Sequence, residues 1–480
     1  MRARDAAALC GLLATGLLLR SQAAGFKYLE IDEAFNLFAA GRPSLESALR
    51  TVFENTPTQG PLNYILDFAL FRASRETAWL RLIPAVWGMG AVALSYLLGR
   101  LLHGRGFGWL WGCLMSLSVL QIHYSTNLRP YAMVEFLSLW NLFAALRLLR
   151  GEGGFRTFAA SAVLLQLAYP FGWAQLAVGS VFLAMDRPET RKKLVCLMAC
   201  VLLLPAAWLL VFGRGVLAHP FAGSGWAFWG RMFLGFGPSM LWALCLLGLA
   251  VGLRSRAWRR DSLLAAVVMI ALPLVVLPCM WKAGQSPEPR HILPSHPLFL
   301  GFAAAGMLSL LSAVSKQALG SVLGTLLVFA GAIGPFLAFR AKQEAPHRMM
   351  REAALFLGSH IGPEDAVVLS NPNTGAVFLR YYDPAAFDDL EAIRMRKGIA
   401  LFFFPAELKA AGNPVFTLNP VDPSTATLDQ ESFLELRRRG RRLWFIHFPF
   451  NFLPDERPFY PLLAGKAIRL TQAAPGVYSE

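Results

Sequence analysis

Nine apolar runs of near-bilayer length fill most of the first 340 residues of this 480-residue chain. They are 6–24, 79–102, 107–126, 131–149, 193–213, 235–253, 262–281, 292–313 and 318–339. A helix needs about 20 mostly apolar residues to cross the hydrocarbon core. A tenth apolar stretch, 157–185, is cut in two by Tyr169, Pro170 and Gly172. Only 16% of the chain is charged, against about 25% in soluble proteins. The 36 Phe and 13 Trp exclude disorder. A nucleic-acid binder would carry its net charge of +15 on a charge-rich chain without such runs. The chain reads as an α-helical polytopic membrane protein.

The gaps between the runs fix an expected topology. Arg2, Arg4, Arg100, Arg105, Arg147, Arg150, Arg156, Arg187, Arg191, Lys192, Lys193, Arg254, Arg256, Arg259, Arg260 and Lys316 fall in alternate gaps. Only Asp5, Glu152, Asp186, Glu189 and Asp261 offset them. The positive-inside rule makes these gaps cytoplasmic. Basic flanks on both sides of 157–185 require an even number of crossings there, so 157–170 and 172–185 read as a hairpin of two short helices. That gives 11 transmembrane helices, a cytoplasmic N-terminus and an outer C-terminus. The parity needs the first run as a retained helix, although its basic start and small-residue end imitate a signal peptide.

Two long segments then lie outside. The first, 25–78, holds Glu30, Asp32, Glu33, Glu46, Glu54, Asp67 and Glu76. The second is the tail, 340–480, which is nearly neutral with 17 bases and 16 acids. Its apolar runs Ala366–Leu369, Ile399–Phe404, Leu443–Phe448 and Ala467–Leu470 have strand length and are separated by polar or helical stretches such as Ala385–Lys397 and Glu431–Arg439. The expected layout is a membrane domain, 1–339, and a small C-terminal α/β domain, 340–480, on the outer face. Cys10, Cys113, Cys196, Cys200, Cys245 and Cys279 lie in or beside apolar runs and read as small core residues rather than ligands or a disulfide framework.

Three constellations carry chemistry. Asp32 and Glu33 follow the first membrane helix directly. Helical neighbours point about 100° apart, so one acid can act as a base while the other positions it or binds a metal. Ordinary interfacial acids paired with Lys27 or Arg42 are the competing reading. The second constellation is His123, Tyr124, Ser125, Arg129, Pro130 and Tyr131, with Glu135 one turn further on. An arginine beside a helix N-terminus suits a phosphate ligand. An intramembrane carboxylate is a functional candidate; pairing with a neighbour such as Arg81 competes with that. The third is Lys282 with Pro289, Arg290, His291 and Pro294, whose cations suit a pyrophosphate or lipid phosphate unless the loop is merely polar. His219 and Trp226 are weaker candidates, and His296 and His103 read as structural. No nucleotide-binding, zinc or Ser-His-Asp motif is present.

Taken in order, these pieces resemble a known family. The first helix ends in an Arg and is followed by the acidic pair within Ile31-Asp-Glu-Ala-Phe35. A Gly60-Pro-Leu-Asn63-Tyr64 turn comes next, then Arg81-Leu-Ile-Pro84, Gly99-Arg100, Tyr124-Ser125…Arg129-Pro130-Tyr131 and Arg290-His291-Ile-Leu-Pro294. The set is similar to the polyprenyl-phosphate-dependent GT-C integral membrane glycosyltransferases, in particular the protein O-mannosyltransferase-like and aminoarabinose-transferase-like group (glycosyltransferase families 39 and 83). The likeness covers about residues 10–310. It implies a GT-C-like fold and transfer of a sugar from a polyprenyl-phosphate carrier to a lipid, glycan or protein acceptor, outside the membrane. It further implies Asp32 as the general base with Glu33 beside it, Arg129 as a carrier-phosphate ligand, and Arg290 with His291 in a like role. Tyr124, Tyr131, Asn63, Tyr64 and Lys282 complete the expected substrate contacts. Some relatives use a divalent cation and others none; Asp32 or Glu33 would be its ligand here. Where relatives show His-Pro-Pro in the first loop, this chain has Gln59-Gly60-Pro61. The location implied is a bacterial cytoplasmic membrane, with membrane lipids but no nucleic acid as partners.

Two other classes compete. A transporter or flippase of lipid-linked glycans would show paired repeats and broken helices near the midplane. No repeat is evident here, and the polar residues gather in outer loops. A non-catalytic scaffold would work equally well without Asp32.

Overall fold

The computed structural model describes residues 3–55, 59–212, 237–282, 289–314, 317–369, 372–396, 399–405, 408–417, 442–446, 448, 471–474 and 477–479. The helices in chain order are α1 (Ala3–Phe26), α2 (Ile31–Ala40), α3 (Leu45–Asn55), α4 (Pro61–Phe71), α5 (Thr77–Leu80), α6 (Leu82–His103), α7 (Arg105–Leu117), α8 (Val119–Tyr124) and α9 (Tyr131–Leu149). Then come α10 (Phe155–Ala168), α11 (Trp173–Asp186), α12 (Arg191–Phe212), α13 (Ser239–Arg254), α14 (Arg259–Lys282), α15 (His296–Val314), α16 (Gln317–His360), α17 (Pro372–Tyr382) and α18 (Pro384–Asp388). The chain divides into two units: 1–25 with 56–339, and 26–55 with 340–480.

The first unit is helical, and it makes the chain an integral membrane protein. Six helices among the described residues are long and apolar enough to cross a membrane: Asp5–Phe26, Thr77–His103, Tyr131–Leu149, Arg259–Pro278, Pro289–Ala313 and Leu319–His360. Other expected runs take shorter forms. The run 107–126 is split at Ser118, whose extended backbone ends α7 and whose hydroxyl accepts the Gln121 N–H to start α8. The stretch 157–185 is two 14-residue helices separated by the 3-10 turn Pro170–Gly172. Pro170 has no N–H to continue α10, and Tyr169 before it is extended. Gly104 alone joins α6 to α7, at φ +89, a left-handed value that favours glycine.

Small residues bring the helices into close contact. A Cβ on Gly99 would sit 2.6 Å from Gly108 Cα. Gly248 and Gly306 bring α13 and α15 closer still: a Cβ on Gly248 would lie 1.9 Å from Phe302 O. Such contacts substitute for the hydrophobic drive that lipid does not supply. At the basic ends, Asp5 lies between Arg100 (3.3 Å) and Arg105 (2.9 Å), and Arg150 pairs with Asp261 at 2.6 Å. Cys113 and Cys245 are buried core residues as expected, but Cys10, Cys196 and Cys200 are exposed; these five are free thiols.

The second unit contains a six-stranded sheet in the order β4-β5-β1-β6-β8-β7 and a separate hairpin β2-β3. The strands are β1 (Ala366–Leu369), β2 (Ala392–Arg396), β3 (Ile399–Phe403), β4 (Lys409–Ala410), β5 (Asn413–Thr417), β6 (Leu443–Ile446), β7 (Thr471–Ala474) and β8 (Val477–Ser479). β1 is central and runs parallel to β5 (Val367 opposite Val415) and to β6 (Val367 opposite Trp444). Its four residues are all buried, which explains a continuous apolar run without alternation. The stretch Ala385–Lys397, expected to be polar or helical, holds most of α18 and then β2, which pairs antiparallel with β3. Alternation in Ala392-Ile-Arg-Met-Arg396 is the strand signal there. Ala467–Leu470 and Glu431–Arg439 lie outside the described residues.

Candidate functional site

Asp32 and Glu33 occupy the first turn of α2, in the second unit. Their environments differ sharply. Glu33 is fully buried, and its Oε2 accepts the Glu30 N–H at 3.2 Å and faces Lys27 Nζ at 3.8 Å. Lys27 is also fully buried and lies 3.5 Å from Glu30 Oε1. Glu33 thus closes the N-terminus of α2 in the manner of a capping box. Asp32, roughly a third of a turn away on the helix, is only partly buried. Below them, the Tyr28 phenol is pushed well above its ordinary value by burial, and further by the charges of Glu30, Glu33, Tyr381 and Asp32. Tyr381 Oη accepts the Leu29 N–H at 3.0 Å and lies 3.1 Å from His347 Nδ1.

This arrangement speaks against Glu33 as a metal ligand, because its carboxylate already faces a buried ammonium. Among the described residues, no three His, Cys, Asp or Glu side chains group as metal ligands. Lys27 is the partner that the competing sequence reading gave these acids, and it faces Glu30 and Glu33; Tyr28 is not singled out by sequence spacing.

The remaining candidates belong to the first unit. Arg129 is 6% exposed and donates from NH1 to Tyr64 Oη at 3.4 Å. Tyr64 Oη in turn donates to Gln59 Oε1. Asn63 turns to Asp67, one helical turn on, at 2.6 Å. Tyr124 and Tyr131 stack edge to face with centroids 5.2 Å apart, and His123 lies against Tyr124 at 4.7 Å. The structure therefore brings Arg129 together with Tyr64, and Tyr124 with Tyr131.

Backbone contacts tie this group to the later candidates. The Gly60 N–H donates to Ala168 O at 3.2 Å, and a Cβ on Gly60 would lie 2.1 Å from Leu167 O. Only glycine fits the Gln59-Gly60-Pro61 turn against the end of α10. Next to that contact, Tyr169 Oη donates to His291 O at 3.0 Å, which ties the helix break to the 3-10 turn Pro289–Ser295. Arg290 and His291 are half-buried on that turn. Lys282 is the last residue of α14, and its side chain lies outside the described residues, as do His219 and Trp226.

Two further groups emerge only in three dimensions. Glu135 is 1% exposed and accepts from Gln121 Nε2. The same nitrogen lies 2.8 Å from His296 Nδ1, so α8, α9 and α15 meet at one amide. Arg81, suggested above as a partner for Glu135, instead donates to Ala24 O at 3.3 Å. Arg20, fully buried in α1, donates to Ser125 Oγ at 2.7 Å. A charged residue inside an apolar run was the available signal for Arg20; nothing in the spacing singles out Gln121.

The fold is that of the GT-C membrane glycosyltransferases. The chain is similar to ArnT from Cupriavidus metallidurans in its apo state, with TM-score 0.61 and 15% identity over 98% of this chain and 96% of that one. ArnT from Cupriavidus metallidurans bound to undecaprenyl phosphate aligns over the same shares, with TM-score 0.60 and 14% identity. At such identity the likeness is one of fold. No protein-family model matches the sequence, and no curated protein sequence does.

Proposed function

We propose that the chain is a membrane glycosyltransferase that moves a sugar from a polyprenyl-phosphate carrier to a lipid, glycan or protein acceptor on the outer face of a bacterial cytoplasmic membrane. The observation that supports this reading is the fold shared with ArnT over nearly the whole chain, together with the burial of Arg129, the residue proposed to hold the carrier phosphate. The reading includes 11 crossings, a cytoplasmic N-terminus and an outer tail domain. In the reaction, the Asp32 carboxylate takes the proton of the acceptor hydroxyl. The hydroxyl oxygen attacks the anomeric carbon of the sugar, and the bond from that carbon to the phosphate oxygen breaks. The carrier phosphate leaves with the bonding electrons. Arg129, held by Tyr64, and Arg290 offset the charge gained by the phosphate. Glu33 acts through the fold, by fixing the turn that bears Asp32.

Binding of undecaprenyl phosphate to the purified protein tests the donor side. Wild type should bind, and Arg129→Ala should weaken binding at least tenfold, since a buried charge-assisted contact is lost. Equal binding by both would remove Arg129 from the role. A flippase of lipid-linked glycans is the competing function. Reconstituted vesicles separate the two: a flippase would move the lipid between leaflets without forming a glycosidic product.

A further inference from the structure

We infer that Arg20 is a positioning residue for the carrier phosphate, acting through Ser125 to fix the loop that presents Arg129. This rests on the carrier reading above and adds a residue that does not itself touch Arg129 in any contact described. A cation inside an apolar span is costly unless its donors are engaged. Arg20 engages several: Nε donates to Ser125 Oγ at 2.7 Å, NH1 to Gly16 O at 3.2 Å and Ser116 O at 3.3 Å, and NH2 to Met115 O at 3.4 Å. Met115 and Ser116 lie in the last turn of α7, where the break at Ser118 leaves carbonyls without helical partners. Arg20 therefore supplies donors that lipid cannot.

The seat is built by other elements as well. A Cβ on Gly88 would lie 2.4 Å from Ser125 Cβ and 3.1 Å from Arg20 Nε, so α6 leaves room for both partners only through glycine. Ser125 Oγ in turn donates to Gln121 O at 2.5 Å. From Ser125 the chain runs Thr126, Asn127, Leu128 and Arg129, all of them buried. A buried loop is costly unless its polar groups are engaged. Here the near end is held by Arg20 and the far end by the contact from Arg129 to Tyr64. With both ends fixed, the Arg129 guanidinium is ordered before the phosphate arrives, and binding loses less entropy.

The test is undecaprenyl phosphate binding to the full-length protein in detergent, with a melting temperature for every variant. Ser125→Ala and Arg20→Lys should each weaken binding about tenfold, because the first removes the acceptor and the second cannot span the acceptors with one ammonium. Ser161→Ala is the control: it removes a buried hydroxyl that accepts from Asn141 at 3.0 Å, about three turns along α9 from Tyr131. Its binding should equal wild type even where its melting temperature falls. Unchanged affinity in Ser125→Ala and Arg20→Lys, while Arg129→Ala loses it, would overturn the positioning role and leave the carrier reading standing. Loss in Ser161→Ala equal to that in Ser125→Ala would overturn it as general destabilisation. Wild type that does not bind the lipid would overturn both.

Discussion

Glu33 faces the ammonium of Lys27 and the N–H of Glu30, whereas Asp32, one residue earlier, stays partly exposed. The two acids should therefore respond differently to loss of charge. Glu33→Gln leaves buried Lys27 with one carboxylate fewer and should lower stability by about 1–3 kcal/mol, read as a shift in melting temperature. Asp32→Asn should cost less stability and abolish transfer. Tyr28 adds a pH signature. Its phenol binds a proton more tightly in the folded chain, so this stabilisation is full below the ordinary tyrosine range. It is lost as pH rises from about 10 toward the higher folded value. Tyr28→Phe should flatten part of the alkaline fall in stability in pH-dependent melts. Tyr382, raised by burial and by the Asp383 charge, acts in the same direction. The acidic pair was legible from its place after an apolar run. Which member is buried was not, because that depends on Lys27 folding back under the helix.

At the scale of elements, the run 131–149 coincides with α9, whereas 107–126 is divided at Ser118. Hydropathy registers apolar length but not a serine able to cap a new helix. The 157–185 break was readable because proline and the residue before it restrict the backbone. What it touches was not readable. Gly60 packs on Leu167 and Ala168 so closely that Gly60→Ala should force the backbone apart, at a cost of about 1–3 kcal/mol. The same variant should weaken undecaprenyl phosphate binding, because Gln59 and Tyr64 flank the displaced turn. A Gly60→Ala protein with wild-type melting and binding would contradict this packing. In the tail, β1 was legible as a fully buried run, while β2 was hidden within a stretch rich in helix formers.

At the largest scale, α16 is the longest helix among the described residues. Its 44 residues span about 66 Å, roughly twice the hydrocarbon thickness. The half up to Phe339 is apolar, with Leu319, Val322, Leu326, Leu327, Ile333 and Leu337 exposed as lipid contact requires. From Arg340 onward charges return, with ion pairs to Glu344 and from Arg348 to Glu352. Charge counting assigns the 314–317 gap to the cytoplasm and the tail to the outer face. Single cysteines placed at Gln317 and at Ser359 in a cysteine-free background should react with an impermeant thiol reagent from opposite sides. Labelling of both from one side would contradict the topology. The proposed sugar transfer depends on Asp32. Mass spectrometry of cell-envelope glycolipids and glycoproteins can compare wild type, a deletion and Asp32→Asn. The same single sugar should be missing from both mutants; identical profiles in all three would rule out the transfer.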